Sequence, residues 1–342
     1  IVHTKRGDAM RARFLVMANG PLHRPKLPGI PGIETFRGHS FHTSRWDYHY
    51  TGGDEEGNLT GLAGKRVGII GTGATAVQCV PHVGAAADQL FVFQRTPSSI
   101  DVRNNRQTDS SWASSLEAGW QKRRMENFNN LVSGILEPED LVNDGWTDII
   151  GKLLRMTKSG ERETLGSDLG RTIELADFEK MEQIRARVDS IVADPRTAEL
   201  LKPYYRQFCK RPCFHDDYLQ TFNRATVTLV DTDGRGVERI TEQGVVANGV
   251  EYELDCLIFA TGFEVGTDYT RRSGYEVYGR SGLALTEKWR NGVMSLHGMH
   301  TRGFPNLFIM SPAQSAFTAN YPHALAEQAQ HLAYIVDRAL VD

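Results

Sequence analysis

The sequence has few cysteines, and their spacing excludes two kinds of chemistry. The four cysteines are Cys79, Cys209, Cys213 and Cys256, which are too few and too scattered for a disulfide framework. Cys209 and Cys213 lie four positions apart rather than in C-x-x-C spacing, which argues against a dithiol redox centre. A reducing, cytoplasmic environment is therefore expected.

Other absences narrow the class of protein further. The chain has 39 Lys and Arg against 42 Asp and Glu, so we expect no broad attraction to nucleic acid or to an anionic membrane. No apolar run is long enough to span a bilayer. Ile1 stands in place of an initiating methionine, so the chain is expected to be a piece of something longer. Its 342 residues should hold two or three domains.

The clearest local pattern is an apolar run, RVGII, followed directly by the glycine-rich turn GTGATA. The pattern G-x-G-x-x-A after a strand is typical of dinucleotide binding. In it Gly71 permits the tight turn, Gly73 lets the backbone approach a pyrophosphate, and Ala76 keeps the following helix close to the strand. The start of that helix also favours a phosphate. The candidate contacts are Gly71, Thr72, Gly73, Ala74, Thr75, Ala76 and Gln78.

The residue that ends the second strand of this unit indicates which coenzyme is bound. An acidic residue there binds the ribose 2′-hydroxyl, whereas Arg accommodates a 2′-phosphate, and this chain has Arg95 followed by Thr96. NADP is favoured over NAD because a guanidinium fork matches phosphate oxygens. An ordinary buried βαβ unit with a solvated Arg95 is the alternative. Pro81, inside the predicted helix, predicts a kink or an early end there.

Past the second strand the pattern becomes helical before strands return. Apolar spacing predicts helices over 110–131, 138–156 and 178–192, to which we assign no chemistry. Two apolar strands end on similar short sequences, Ala-Asn-Gly at 18–20 and Ala-Thr-Gly at 260–262, on either side of the glycine turn. This arrangement suggests that the chain leaves one nucleotide-binding domain, forms a second, and returns to the first.

A longer pattern precedes the glycine turn. Phe36, Gly38, His42 and Trp46, with Asp47 next, fit F-x-G-x-x-x-H-x-x-x-W-[P/D]. This pattern resembles the fingerprint of Baeyer–Villiger monooxygenases, flavoproteins that insert one oxygen atom of O2 beside a ketone carbonyl. The resemblance extends over nearly the whole chain and includes the stretches FQRTP, EKW and GFPNLF. A linker that merely contains these residues is the alternative.

The resemblance implies an α/β fold with two Rossmann-like dinucleotide-binding domains, one for FAD and one for NADP, and a helical insertion. The FAD domain is expected to be incomplete in this chain, because the family's FAD glycine loop and active-site Asp have no counterpart in the sequence. The implied domains are 1–35 (FAD), 36–98 (NADP, first part), 99–208 (helical insertion), 209–249 (NADP, second part) and 250–342 (FAD, returning segment).

The resemblance also implies roles for single residues. Arg95 and Thr96 would contact the NADP 2′-phosphate, with Lys210 as a second cation. Arg211 falls where the family has its catalytic arginine, and Trp289 where a tryptophan closes on the nicotinamide. A surface position for Arg211 and simple packing for Trp289 are the alternatives. After the strand near residue 309 the family usually has glycine near the flavin ring, whereas this chain has Ser-Pro-Ala-Gln at 311–314.

The histidines are expected to have no direct acid–base role. The resemblance implies that His42 belongs to a hinge that couples domain rotation to catalysis; a purely structural histidine is the alternative. His39 with His42, and His297 with His300, have a spacing that can ligate metal on a helix. No carboxylate or cysteine cluster completes either pair, so no metal is expected.

The sequence therefore predicts an FAD- and NADPH-dependent Baeyer–Villiger monooxygenase that converts ketones, with bulky or cyclic ketones favoured, to esters or lactones. By this resemblance NADPH reduces FAD, the reduced flavin captures O2 as a C4a-peroxide, and the peroxide attacks the ketone. The expected partners are a small-molecule ketone and O2, and the oligomeric state is left open. An N- or S-oxygenating flavin monooxygenase is the first alternative, disfavoured by Trp46 and Arg211. A non-catalytic nucleotide-binding remnant without FAD is the second.

Overall fold

The computed structural model describes residues 1–135, 137–149, 151, 169–310 and 318–341. It divides the chain into two compact units, each assembled from separate stretches. The first unit comprises Ile1–Pro25, Ala118–Val142 and Phe263–Asp342. The second unit comprises Lys26–Glu117 and Asn143–Gly262.

The second unit is built around a five-stranded parallel sheet. In spatial order its strands are His39–His42, Cys256–Phe259, Arg66–Ile70, Gln89–Gln94 and Val227–Asp231. The central strand Arg66–Ile70 carries wholly buried Val67 and Ile69, as expected for a parallel strand covered on both faces. Helix Ala74–Ala86 connects it to Gln89–Gln94. The predicted strand, turn, helix and second strand are therefore confirmed.

Pro81 does not end the helix that contains it. Helix Ala74–Ala86 continues past Pro81, so the expectation of an early end is wrong. The helix is held by its apolar face, where Val77, Val80 and Val83 are at most 1% exposed. Burying such side chains contributes about 1.5–3 kcal/mol each, which outweighs the cost of about 3 kcal/mol for proline inside a helix.

The remaining elements of the second unit surround this sheet. Its other helices are Tyr48–Thr51, Ser110–Ser114, Leu169–Ile191, Pro195–Leu201 and Tyr218–Thr221. Strand Ile100–Asp101 pairs in parallel with Cys213–Phe214. A separate antiparallel sheet contains Arg239–Ile240, Gly244–Ala247 and Val250–Glu253.

The first unit has a smaller core. Strand Leu15–Met17 pairs in parallel with Leu307–Ile309, and Val2–His3 pairs antiparallel with Ala9–Met10. Its helices are Trp120–Val132, Tyr269–Ser273, Leu285–Lys288 and Tyr321–Val341. Among the described residues, no helix combines the length and apolar character needed to cross a membrane.

Two of the expected helices differ in the structure. The helix expected over 110–131 is two helices, because Gly119 between them has a left-handed φ of 86°. The helix expected over 178–192 starts earlier, as Leu169–Ile191. The helix expected over 138–156 lies largely outside the described residues.

The limits of the units differ from the expected domain limits in three places. Residues 26–35 belong to the second unit, and so do residues 250–262, because strand Cys256–Phe259 pairs with a parallel neighbour on each side. Residues 118–142, expected within the helical insertion, belong to the first unit. There their helix contacts Tyr321–Val341.

Candidate nucleotide-binding site

The glycine turn fits closely against the end of a neighbouring strand. Gly71 has a φ of +117°, and a Cβ added to it would lie 2.5 Å from the carbonyl oxygen of Ala260. Only glycine combines this conformation with this contact. Gly73 is the N-cap of the helix, makes no side-chain capping bond, and would direct a Cβ into open space. The first N–H groups of the helix are thus left for an acceptor such as a phosphate.

The helix after the turn packs closely on its surroundings. Ala76 is fully buried, and a Cβ at Gly84 would lie 2.8 Å from Cγ2 of Thr221. Thr75 and Gln78 are exposed on the other face, where the Gln78 amide donates to the backbone oxygen of its own helix at 2.9 Å. Ala76 and Gly84, the small residues on the inner face, therefore set how closely the helix packs on its neighbours.

The loop after strand Gln89–Gln94 is hydrogen-bonded to the glycine turn. The hydroxyl of Thr72 donates to the carbonyl oxygen of Thr96 at 2.8 Å, and the hydroxyl of Ser98 donates to the carbonyl oxygen of Thr72 at 2.6 Å. Thr72 is only 7% exposed. Two reciprocal bonds thus hold the loop 96–99 against the turn.

Arg95, Thr96 and Lys210 come together beside this loop. Nζ of Lys210 donates to the hydroxyl of Thr96 and, at 3.1 Å, to the carbonyl oxygen of Pro97. Burial lowers the pKa of Lys210, and the positive charge of Arg95 lowers it further. Two cations in mutual repulsion form a natural site for an anion.

Arg211 lies on the same loop as Lys210 and is exposed. The strand that follows it, Cys213–Phe214, pairs in parallel with Ile100–Asp101, which follows the loop 96–99. Burial raises the pKa of the Cys213 thiol, and the charge of Arg211 opposes that shift. The two loops that carry the predicted phosphate-binding and catalytic residues therefore run side by side.

Two further groups fix this pair of strands. Arg187, on helix Leu169–Ile191, donates to the carbonyl oxygens of Ile100 at 3.3 Å and His215 at 3.2 Å. The carboxylate of Asp216 accepts bonds from the backbone N–H groups of residues 103–105 at 2.9–3.1 Å. Burial alone would raise the pKa of Asp216, but these three bonds and the positive charge of Arg187 together outweigh it and lower the pKa.

A buried lysine connects the same helix to the strand pair. Nζ of Lys180 lies 2.6 Å from Asp101 and 2.9 Å from Asp148, and its side chain is 9% exposed. Burial would lower the pKa of Lys180, but its hydrogen bonds to the two carboxylates and their negative charges outweigh burial and raise it.

His42 is the last residue of strand His39–His42 and is hydrogen-bonded to the backbone of Gly262, the last residue of the second unit. It is 5% exposed, and its Nδ1 accepts a bond from the backbone N–H of Ser44 at 3.1 Å. Burial lowers the pKa of His42, while a hydrogen bond with the backbone of Gly262 opposes the shift. Gly38, at the start of the same strand, would place a Cβ 2.8 Å from the carbonyl oxygen of Asp255. This contact explains the glycine.

The other fingerprint residues pack within the second unit. Nε1 of Trp46 donates to the hydroxyl of Thr51 at 3.0 Å, and its ring meets Phe41 edge-on at 5.2 Å. Phe36 is partly buried against an apolar cluster that includes Phe93 and Leu257.

Across the described residues, no group of three or more His, Cys, Asp or Glu has the arrangement of a metal site. The hinge role stays a prediction.

Trp289 lies in the core of the first unit. It is 7% exposed, its Nε1 donates to the carbonyl oxygen of Met294 at 3.1 Å, and its ring meets Tyr269 edge-on at 5.6 Å. The indole therefore already has packing and hydrogen-bond partners, as the packing alternative requires, and its role at the nicotinamide stays a prediction. Residues 311–314 lie outside the described residues.

Sequence reasoning missed Tyr205. Its hydroxyl accepts a bond from the backbone N–H of Ser99 at 2.9 Å and donates to the carbonyl oxygen of Pro97 at 3.2 Å. Its ring centroid lies 4.5 Å from Nζ of Lys210. No local motif marks this tyrosine, and only its position shortly before Lys210 could have drawn attention to it.

Comparison with known proteins identifies relatives of the chain. No protein-family model matches the sequence. The sequence is 59% identical over 338 residues to neopentalenolactone D synthase of Streptomyces avermitilis, and the match covers 98% of this chain and 57% of that protein. It is 52% identical over 341 residues to a Baeyer–Villiger monooxygenase of Streptomyces coelicolor, covering 99% of this chain and 57% of that protein. The chain is homologous to the Baeyer–Villiger monooxygenases. It spans a little over half the length of these two relatives.

Solved structures of Baeyer–Villiger-type enzymes share the fold. The polycyclic ketone monooxygenase of Thermothelomyces thermophila superposes with a TM-score of 0.84 and 42% identity, over 95% of this chain and 54% of that one. A structure of OTEMO in complex with FAD and NADP gives a TM-score of 0.73 and 26% identity, over 98% of this chain and 63% of that one. The predicted α/β class with two dinucleotide-binding domains is confirmed, whereas an incomplete FAD domain stays a prediction.

Proposed function

We propose that the full-length protein is an FAD- and NADPH-dependent Baeyer–Villiger monooxygenase that uses O2 to convert bulky or cyclic ketones to esters or lactones. The observation that carries this proposal is the gathering of Arg95, Thr96 and Lys210 beside the glycine turn, with Arg211 next on the same loop. The relatives named for ketone oxygenation support the choice of substrate.

The nucleotide site suits NADPH. The uncapped start of helix Ala74–Ala86 would hold the pyrophosphate, while the guanidinium of Arg95 and the ammonium of Lys210 would bind the 2′-phosphate. The hydroxyl of Thr96 would add a donor. Bound FAD and NADPH supply the electrons and the activation of oxygen, which side chains cannot provide.

Arg211 would act on charge rather than on protons. Its planar guanidinium can stabilise negative charge that develops on an oxygen atom. Because it is exposed and its loop is anchored by the following strand pair, it is free to meet a ligand without losing its position.

The proposal is tested with Arg211→Ala in the full-length protein loaded with FAD. We expect ketone oxygenation to fall by at least about a hundredfold, the typical cost of removing a donor that stabilises charge in the transition state. NADPH should still reduce the flavin at its normal rate. Arg206→Ala is the matched control, because Arg206 is an exposed arginine on the same loop that pairs with Glu174.

Two results would contradict this proposal. If the wild-type protein oxidised amines or thioethers but left every ketone untouched, an N- or S-oxygenating monooxygenase would replace it. If the purified full-length protein bound no FAD and was colourless, a nucleotide-binding remnant would replace it. Unchanged lactone formation by Arg211→Ala would remove Arg211 from the catalytic role alone.

The cellular setting is also part of the proposal. All four cysteines are free thiols, and Cys209 is exposed. An exposed thiol persists in a reducing compartment, so we place the protein in the cytoplasm. Labelling of thiols in freshly lysed cells would test this, since a Cys209 that is already oxidised would argue against it.

A further inference from the structure

We propose that Tyr205 is a positioning residue that sets the coenzyme preference by holding Lys210 against the loop 96–99. This inference rests on the proposed use of NADPH, which assigns the 2′-phosphate to Lys210 and its neighbours. Tyr205 itself would not touch the coenzyme.

The hydroxyl of Tyr205 fixes the backbone of the loop. It accepts a bond from the N–H of Ser99, which is 1% exposed, and donates one to the carbonyl oxygen of Pro97. A buried N–H that loses its acceptor is costly, so the loop would shift if the hydroxyl were removed. The other side of the loop is already fixed by the bonds of Thr72 with Thr96 and Ser98.

The ring of Tyr205 fixes the lysine. Nζ of Lys210 lies 4.5 Å from the ring centroid, within the range of a cation–π contact. The same ammonium donates to the carbonyl oxygen of Pro97, which also accepts the bond from the Tyr205 hydroxyl. A lysine side chain is flexible and would otherwise populate several positions. One tyrosine therefore positions the charge and the loop on which that charge rests.

The effect should be selective for the 2′-phosphate. NADP and NAD differ only in this group, and the pyrophosphate site at the start of helix Ala74–Ala86 shares no contact with Tyr205 among the described hydrogen bonds and ring contacts. Losing the position of Lys210 should weaken the binding of NADP⁺ and leave that of NAD⁺ almost unchanged. A residue with a merely structural role would weaken both.

The neighbouring Tyr204 offers a matched control. It is exposed, its hydroxyl donates to Glu199 at 2.7 Å, and its ring lies 5.2 Å from the guanidinium carbon of Arg185. It thus makes the same two kinds of contact as Tyr205, but with groups away from the loop 96–99.

The experiment measures the dissociation constants of NADP⁺ and NAD⁺ by calorimetry on the full-length protein loaded with FAD. We expect Tyr205→Leu to weaken NADP⁺ by about tenfold, and Tyr205→Phe, which keeps the ring, by about threefold. NAD⁺ should change by less than about twofold in both, and Tyr204→Leu should change neither constant. Adding Tyr205→Leu to Lys210→Ala should cause no further loss of preference, because the two residues act as one unit.

Several outcomes would overturn the inference. An equal loss of NADP⁺ and NAD⁺ binding, or no loss of either, would remove Tyr205 from this role. If Tyr205→Leu does not fold, Tyr205→Phe decides the question. A wild-type protein that binds NAD⁺ as tightly as NADP⁺ would overturn the coenzyme assignment and this inference together. A wild-type preference for NADP⁺ that is undiminished in the Tyr205 variants would overturn this inference alone.

Discussion

The two compact units differ in how their cores are built from the chain. The second unit encloses a five-stranded parallel sheet between one large cluster of buried apolar residues and a second, much smaller one. The first unit has one small cluster around Trp289, and its long helix Tyr321–Val341 has no buried residue within the described chain. The contrast shows that the second unit depends mainly on one densely packed sheet, whereas the first unit depends on contacts among three distant stretches.

The largest expected effect compares a glycine from each unit. In the second unit, Gly71 has a positive φ, and Gly71→Ala would bring its Cβ within 2.5 Å of the carbonyl oxygen of Ala260. We expect this change to lower the free energy of unfolding by about 3–5 kcal/mol and to abolish NADP⁺ binding. In the first unit, Gly274→Ala meets nothing within 4 Å at a φ of +83° and should cost about 1 kcal/mol. Urea unfolding and coenzyme titration would measure both. Similar losses for the two variants would remove the distinction.

A smaller effect compares a buried lysine with an exposed one. Lys180→Met in the second unit would remove the ammonium group that pairs with Asp101 and should lower the free energy of unfolding by about 3 kcal/mol. Lys122→Met in the first unit removes an exposed pair with Glu126 at 3.7 Å and should cost less than about 0.5 kcal/mol. Replacing Asp101 by Leu as well should restore most of the stability lost by Lys180→Met. A second substitution that deepens the loss would show that the carboxylate has another role.

The smallest expected effect is a pH dependence. Burial lowers the pKa of His42 below 6.5 in the folded protein, so the unfolded chain binds the proton more readily. Stability should therefore be intact above pH 6.5 and decline as the pH falls below it. His42→Gln should show a shallower decline between pH 7 and 5.5 in denaturant titrations. His300→Gln is the counterpart in the first unit, where burial also lowers the histidine pKa. An unchanged slope in both variants would assign the decline to other groups.

Spacing in the sequence predicts the local part of this site but not the part contributed by distant residues. The glycine turn and Arg95 follow from spacing alone, because one short segment forms the strand, the turn and the start of the helix. Lys210 could be joined to them only through a family resemblance, since 114 positions separate it from Thr96. No motif or periodicity indicates Tyr205, because its role depends on contacts with residues distant in the sequence.

The limits of the compact units differ from the expected domain limits for a related reason. Residues 251–259 resemble one continuous strand, but the structure splits them into Val250–Glu253 and Cys256–Phe259, which belong to different sheets. Both halves have the composition of a strand, so the partner of each is decided only by the folded sheet. Gly119 similarly divides a helical pattern that the apolar spacing left continuous.

The pairing of Ile100–Asp101 with Cys213–Phe214 has a consequence for how such proteins can vary. Between these strands the chain leaves the second unit after Glu117 and returns to it at Asn143. The entropy of closing such an excursion grows only with the logarithm of its length, by about 0.6 kcal/mol for each doubling. The length of residues 118–142 can therefore change at little entropic cost, while the strand pair returns Lys210 and Arg211 to the same place.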